Sequence, residues 1–340
     1  MTKTAKLTEE LFQKLGHITY GTGTCVYTRD YCASICDIVD EIRSLKKEKN
    51  ALILAHSYIT PDIIASVADF TGDSFELSRL AKETEADVIV FVAVRFMAET
   101  AKILNPTKTV LIPGTNPACS LADSITAQDV CDLKKQYPDY SFVCYINTTA
   151  AVKAHCDVCV TSSNVYSIVT NIPNDKIYFL PDRLMAENIL TYLEKNKINK
   201  KLRFSSGTCY VHEKYDPALI DEVRINQPEA DILAHPECNA GVVNEADFCG
   251  STSQMINYVK ESDAKFFYLL TECGLASKLQ MELPNKKFIG SCSMCKYMKS
   301  NTLESIRDAL KTQSDSYQIH LDSKTITEAK RCLDAMFRYA

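Results

Sequence analysis

Short, almost wholly apolar runs punctuate the chain: ALILA (51–55), DVIVFVAV (87–94), SFVCYI (141–146), KIYFL (176–180) and KFFYLL (265–270). They are short and rich in β-branched and aromatic residues, which reads as strand. Between them lie stretches with apolar residues three and four apart, such as CDIVDEIRSLKKEK (36–49) and ITAQDVCDLKKQYP (125–138), which read as amphipathic helices. Uninterrupted apolar strands alternating with such helices predict an α/β fold whose parallel sheets are covered on both faces.

The pattern repeats. Leu54-Ala55-His56 returns as Leu233-Ala234-His235, each closing an apolar run. Ala68–Ser74 (ADFTGDS) returns as Ala246–Thr252 (ADFCGST), with Cys156–Ser162 (CDVCVTS) as a middle copy. Ser74 and Ser162 are 88 positions apart, and Ser162 and Ser251 are 89 apart. Arg95–Glu99 (RFMAE) recurs 88 positions on as Arg183–Glu187 (RLMAE), with a weaker third copy at Cys273–Ser277. Tyr145 lies 89 after His56 and 90 before His235, while Cys119, Cys209 and Cys295 are spaced by 90 and 86.

Each unit reads helix, strand, loop, strand, helix, strand, then cysteine. The phase divides the chain into an N-terminal extension of weak periodicity (1–35), three α/β units (36–122, 123–212, 213–297), and a closing helix–strand–helix (298–340). That last segment comprises TLESIRDALK, YQIHL and TITEAKRCLDAMF. Three similar units around a pseudo-threefold axis would bring the three cysteines together.

Composition narrows the field. The chain has 340 residues, of which 46% are hydrophobic and 24% charged. A net charge of −5 gives no broad surface for nucleic acid or an anionic membrane. No apolar run reaches the roughly 20 residues of a membrane span. MTKTAKLTEELFQKLG lacks the apolar core of a signal peptide, so a cytoplasmic location is expected. Fifteen cysteines then point to metal, redox chemistry or burial rather than disulfides. Roughly ten or more should be ordinary buried core residues.

The in-phase trio is different. Three thiolates on a cubane [4Fe–4S] cluster leave one iron open, free to act as a Lewis acid. Catalytic zinc also takes three protein ligands, and spacing alone does not choose between them. Cys292-x-x-Cys295 could bind metal as a pair, form a disulfide, or lend only its second thiol. Cys156-x-x-Cys159, in apolar surroundings, reads as core, and Cys25, Cys32 and Cys36 read as non-ligands. His56 and His235 recur at strand C-terminal ends, where open α/β sheets bind ligands. Tyr58 and Glu237 follow them as candidate proton-transfer groups. GDS (72–74), TSSN (161–164) and GST (250–252) each precede a helix. They read as N-caps, and the same N–H groups can hold an anion. No GxxxxGK[ST] or GxGxxG loop is present.

AHSYITPDIIASVADFTGDS, RFMAETAKILNPTKTVLIP, ACSLAD, YINTTAAVKA, TSSN, HPE, GSTSQM and CKYMKSNTLE together resemble the quinolinate synthase family, from about residue 38 to about 310. The resemblance implies three α/β/α domains around an oxygen-sensitive [4Fe–4S] cluster. It also implies condensation of iminoaspartate with dihydroxyacetone phosphate to quinolinate in NAD biosynthesis. Iminoaspartate would come from an aspartate oxidase or dehydrogenase. By motif, Cys119, Cys209 and Cys295 would be the cluster ligands. The substrate pocket would be lined by His56, Tyr58, Ser74, Tyr145, Asn147, Ser162, His235, Glu237, Ser251 and Thr252. The four Ser/Thr residues would anchor carboxylate and phosphate groups, and Tyr58, His235 and Glu237 would move protons. Ile59 stands where the family often carries glutamine, Arg95 where it often carries histidine or aspartate, and Cys292 is an additional thiol.

Overall fold

The computed structural model describes residues 2–19, 25–289 and 293–339. Its twelve strands form three separate four-stranded parallel sheets. The first contains β1 (Ala51–His56), β2 (Phe70–Gly72), β3 (Val88–Val92) and β4 (Thr109–Leu111). The second contains β5 (Ser141–Tyr145), β6 (Val158–Val160), β7 (Lys176–Leu180) and β8 (Lys201–Phe204). The third contains β9 (Asp231–Ala234), β10 (Phe248–Cys249), β11 (Phe266–Leu270) and β12 (Lys287–Ile289). All three share one order, with the unit's first strand between its second and third and its fourth at the edge. Every ladder between these strands is parallel.

The apolar runs take the interior positions. All five residues of β3 are buried, as are the last four of β1, β5, β7 and β11. Helices close each crossover, among them Arg95–Leu104, Arg183–Lys195 and Gly274–Glu282 at the same place in the three units.

The two ends of the chain depart from their patterns in opposite directions. Lys3–Leu15 is a helix that buries Leu7, Leu11 and Leu15, spaced four apart on one face. YQIHL forms no full strand. It meets the free edge of β4 through one antiparallel bridge, Leu111 to Gln318, with Ile112 N–H donating to Tyr317 O (2.8 Å) and Ile319 N–H to Val110 O (2.9 Å). The helix Ser323–Tyr339 packs against β6, bringing Cys332 Sγ to 3.5 Å from Cys144 Sγ. Cys156 and Cys159 are buried in the second unit, as their apolar flanks indicated.

Burial accounts for fewer cysteines than the expected ten: seven of the fourteen described thiols are buried and seven are half-buried. The half-buried ones include Cys119, Cys209 and Cys295, which sit in loops beyond the sheets.

Candidate active site

Strand ends set the first groups. His56 ends β1, Tyr145 ends β5, and His235 directly follows β9. The chain then makes the same turn in units one and three. Tyr58 N–H donates to His56 Nδ1 (3.1 Å), and Glu237 N–H donates to His235 Nδ1 (3.3 Å). With Nδ1 accepting, each neutral ring carries its proton on Nε2. Burial lowers His56 to about 4, and burial together with the neighbouring His212 lowers His235 to about 3, so both rings are neutral at pH 7.

Helix starts supply the second set. Asp73 caps the helix Ser74–Glu83, its Oδ1 accepting from Phe75 N–H (3.1 Å) and Glu76 N–H (3.0 Å). Its Oδ2 accepts from Ser163 Oγ (2.6 Å) and Ser251 Oγ (3.0 Å). One carboxylate thus ties together the serine-bearing segments of all three units. Ser251 also caps Thr252–Glu261 in a reciprocal pair with Gln254. Ser74, Ser162 and Thr252 reach the cavity wall; Ser251 is fully buried behind it, its hydroxyl committed to Asp73 and the cap.

The third set is the cysteine loops, which are three copies of one geometry. Two backbone N–H groups, two and three residues on, point at each sulfur: Leu121 and Ala122 at Cys119, Val211 and His212 at Cys209, Tyr297 and Met298 at Cys295. Each cysteine carbonyl accepts from the N–H four residues on, at 2.9, 2.9 and 3.1 Å. Each loop is clamped two residues before its cysteine. Arg95 N–H donates to Pro117 O (2.6 Å), Arg183 N–H to Gly207 O (2.8 Å) and Cys273 N–H to Ser293 O (3.1 Å).

All three thiols open into one cavity. The same cavity holds His56, Tyr58, Tyr145, Asn147, His235 and Glu237. Burial pushes the Cys119 thiol up to about 12 and raises Cys209 and Cys295 as well, while the aimed N–H groups pull the other way. Such a set is poised for a cation that takes thiolate ligands, since N–H···S bonds and metal coordination both favour the thiolate. None of the three is in a disulfide.

The rest of the wall is charged and hydrogen-bonded. Burial opposes the charge on Glu237, but His212 and Tyr145 outweigh it and hold the carboxyl down to about 2. Tyr145 Oη donates to Glu237 Oε1 (2.6 Å), and His212 Nδ1 lies 3.0 Å from Oε2 and 3.3 Å from Cys209 Sγ. Burial keeps Tyr58 and Tyr145 protonated, well above the usual phenol range. Glu272, 1% exposed, accepts from the N–H of Cys295 (3.1 Å) and of Gly274 (2.7 Å) and pairs with Lys299 (3.1 Å).

Cys209, His212 and Glu237 also place a sulfur, a nitrogen and an oxygen within 4.8 Å of one another, a compact donor set sharing one thiol with the trio. Sequence reasoning passed over His212, Thr271 and Glu272. The phase did mark Glu272, which stands 90 positions after Asp182. Asp182 and Glu272 form the same parallel bridge to their cysteine loops, with Gly207 and Ser293.

A family model described as Quinolinate synthetase A protein matches residues 40–338. The chain belongs to that family. It is 48% identical over 272 residues to quinolinate synthase 2 of Mesorhizobium japonicum, covering 80% of this chain and 82% of that one. It is 47% identical to quinolinate synthase of Caldicellulosiruptor saccharolyticus, covering 86% of this chain and 95% of the relative. With quinolinate synthase of Xylella fastidiosa the identity is 43%, over 88% and 86% of the two chains.

The positions where this member of the quinolinate synthetase A family departs from the usual pattern have local structural roles. Ile59 is fully buried, and its N–H closes the turn by donating to His56 O (2.9 Å). Arg95 binds Glu99 Oε1 (3.1 Å), whose Oε2 accepts from Ala150 N–H (2.8 Å) in the next unit. Cys292 lies outside the described residues. Among the described residues no helix is long and apolar enough to cross a membrane.

Proposed function

We propose that this chain is a quinolinate synthase, condensing iminoaspartate with dihydroxyacetone phosphate to quinolinate for NAD biosynthesis. The observation that carries the reading is the threefold cysteine loop, with paired N–H groups on each sulfur, opening into the cavity of Tyr58, His235 and Glu237. Cys119, Cys209 and Cys295 would hold a [4Fe–4S] cluster, which when bound supplies a Lewis acid through its one iron lacking a protein ligand.

The chain's own residues do the rest. The helix starts at Ser74, Ser162 and Thr252 bind the substrates' phosphate and carboxylate groups through N–H and hydroxyl donors. Ser251 contributes by fixing Asp73 and its own helix start. His56 and His235 present neutral Nε2–H donors, and Asn147 an amide, to substrate oxygens. Glu237 is the base, held ionised by His212 and Tyr145, and the protonated Tyr58 and Tyr145 are acids. Together they serve imine formation, ring closure and loss of two waters. The enzyme works in the cytoplasm and takes iminoaspartate from an aspartate oxidase or dehydrogenase.

The test is anaerobic purification, iron, sulfide and zinc quantification, and a quinolinate assay. Iron and sulfide in about equal amounts, with activity, are expected. Cys209→Ala should lose both. A Cys209→Ala protein with full cluster and full activity defeats the reading, and zinc in place of iron points to a zinc hydrolase.

A further inference from the structure

Four of the seven buried thiols gather between the second sheet and the helix Ser323–Tyr339. Cys144 and Cys159 are register partners on β5 and β6. Cys159 and Cys156, just before β6, both hydrogen-bond with Cys144. The helix brings the fourth. Ala329, Cys332, Leu333 and Met336, three and four apart, form its buried face. Cys332 Sγ lies 3.5 Å from Cys144 Sγ, and both residues are 0% exposed. All four are free thiols, and neither Cys144 nor Cys332 lines the active-site cavity.

The helix that carries Cys332 spans two units. It packs on β6 and the short helix Ala150–Lys153 of the second unit, and on Arg95–Leu104 of the first. Beyond Cys332, Phe337 meets Phe75 of the first unit with ring centroids 5.8 Å apart, and Lys82 Nζ lies 4.6 Å over the Phe337 ring. Phe75 directly follows Ser74. A bond between Cys332 and Cys144 needs their sulfurs to close from 3.5 Å to roughly 2 Å.

We propose that Cys144 and Cys332 are a disulfide-forming site that, on oxidation, fastens the closing helix, and with it the Phe337–Phe75 contact to the first unit, onto the second sheet. The oxidant is a small disulfide such as oxidised glutathione. Because both thiols are buried, it reaches Cys332 when the helix lifts locally. The Cys332 thiolate attacks one sulfur of the oxidant, and its proton goes to the glutathione thiolate released. Cys144 then attacks Cys332 Sγ, and its proton goes to the second glutathione. The two cysteines lose two electrons and two protons, and one glutathione disulfide becomes two thiols. A reducing thiol pool reverses both steps.

The test equilibrates the anaerobic, cluster-loaded protein with oxidised glutathione, alkylates it, digests it with trypsin and maps the peptides by mass spectrometry. Trypsin leaves Cys144 as the one cysteine of peptide 136–153 and Cys332 as the one cysteine of peptide 332–338, so their cross-link is unambiguous. The linked pair is expected in most molecules and should vanish with dithiothreitol. The bond spans 188 positions of chain, so Tm should rise several degrees above that of the reduced protein. Amide exchange across 323–339 should slow about 10-fold or more. Cys332→Ala should lose both gains. The parent's peptide map and exchange rates carry the test even where that variant does not fold. Both thiols recovered free at equilibrium, or Cys144 joined to the peptide of Cys156 and Cys159, overturns the inference. Unchanged exchange across 323–339 in the cross-linked protein overturns it as well. So does bound zinc that is lost in Cys332→Ala, which makes the four thiols a metal site instead.

Discussion

His56 and His235 are buried imidazoles whose Nδ1 atoms are occupied by backbone N–H groups. Their values fall from 6.5 in the open chain to about 4 and about 3, chiefly through burial. Asp73 and Glu237 face both rings and oppose the shift, while Lys299 faces His56 and His212 faces His235, adding to it. The unfolded chain therefore binds more protons than the folded one below pH 6.5. The stability these rings contribute is complete above that pH and is lost as pH falls toward 4. Two such groups approach a slope of about 3 kcal/mol per pH unit as an upper limit. Urea midpoints measured between pH 7 and pH 5 should fall, and His56→Asn should roughly halve the decline. Equal midpoints at the two pH values would refute the coupling.

At the scale of elements, Asp73 is the joint between three helix starts. It caps its own helix and accepts one hydroxyl from each of the other two units. Removing it loses an N-cap worth about 1 kcal/mol. It also strands two hydroxyls, Ser163 and the buried Ser251, at about 1 kcal/mol each. Asp73→Ala should cost about 2–3 kcal/mol in denaturant unfolding and raise the KM for dihydroxyacetone phosphate. Ser163→Ala should cost about 1 kcal/mol, losing one strut only. An Asp73→Ala protein with parental KM would show that the joint does not shape the anion site.

Across the whole molecule, three separate sheets meet at one cavity through three cysteine loops. A cluster held by one thiol from each loop would bind the folded state and not the dispersed chain, raising its stability by mass action. The holoprotein should melt several degrees above the same protein after anaerobic iron chelation. Cys119→Ser should abolish both the iron and that difference. Cys156→Ser, whose thiol lies in the core of the second unit, should keep them. Equal melting temperatures with and without iron would show that the cluster does not join the units.

Much of this was legible in the chain because the signals are local or periodic. Uninterrupted apolar runs name parallel strands wherever both faces are covered, and β1, β3, β5, β7 and β11 formed where the runs stood. The repeat marked Cys119, Cys209 and Cys295 among fifteen thiols, because equal spacing in equal units means equal places in the fold.

What the pattern did not carry is pairing between units. YQIHL met only the edge of β4, so its β propensity made one bridge and no full strand. Ser251 looked like a cavity residue, but Asp73, 178 positions away, drew its hydroxyl inward. His212 and Thr271 have no distinctive neighbours in sequence; the packing of separate sheets brings Glu237 and Tyr58 beside them. The sequence by itself determined most of the elements, the repeat and the three in-phase thiols, since backbone propensity and burial are written residue by residue. Only the tertiary structure decided which hydroxyl, imidazole and carboxylate share a hydrogen bond, because that depends on distances of about 3 Å between chain segments far apart in sequence.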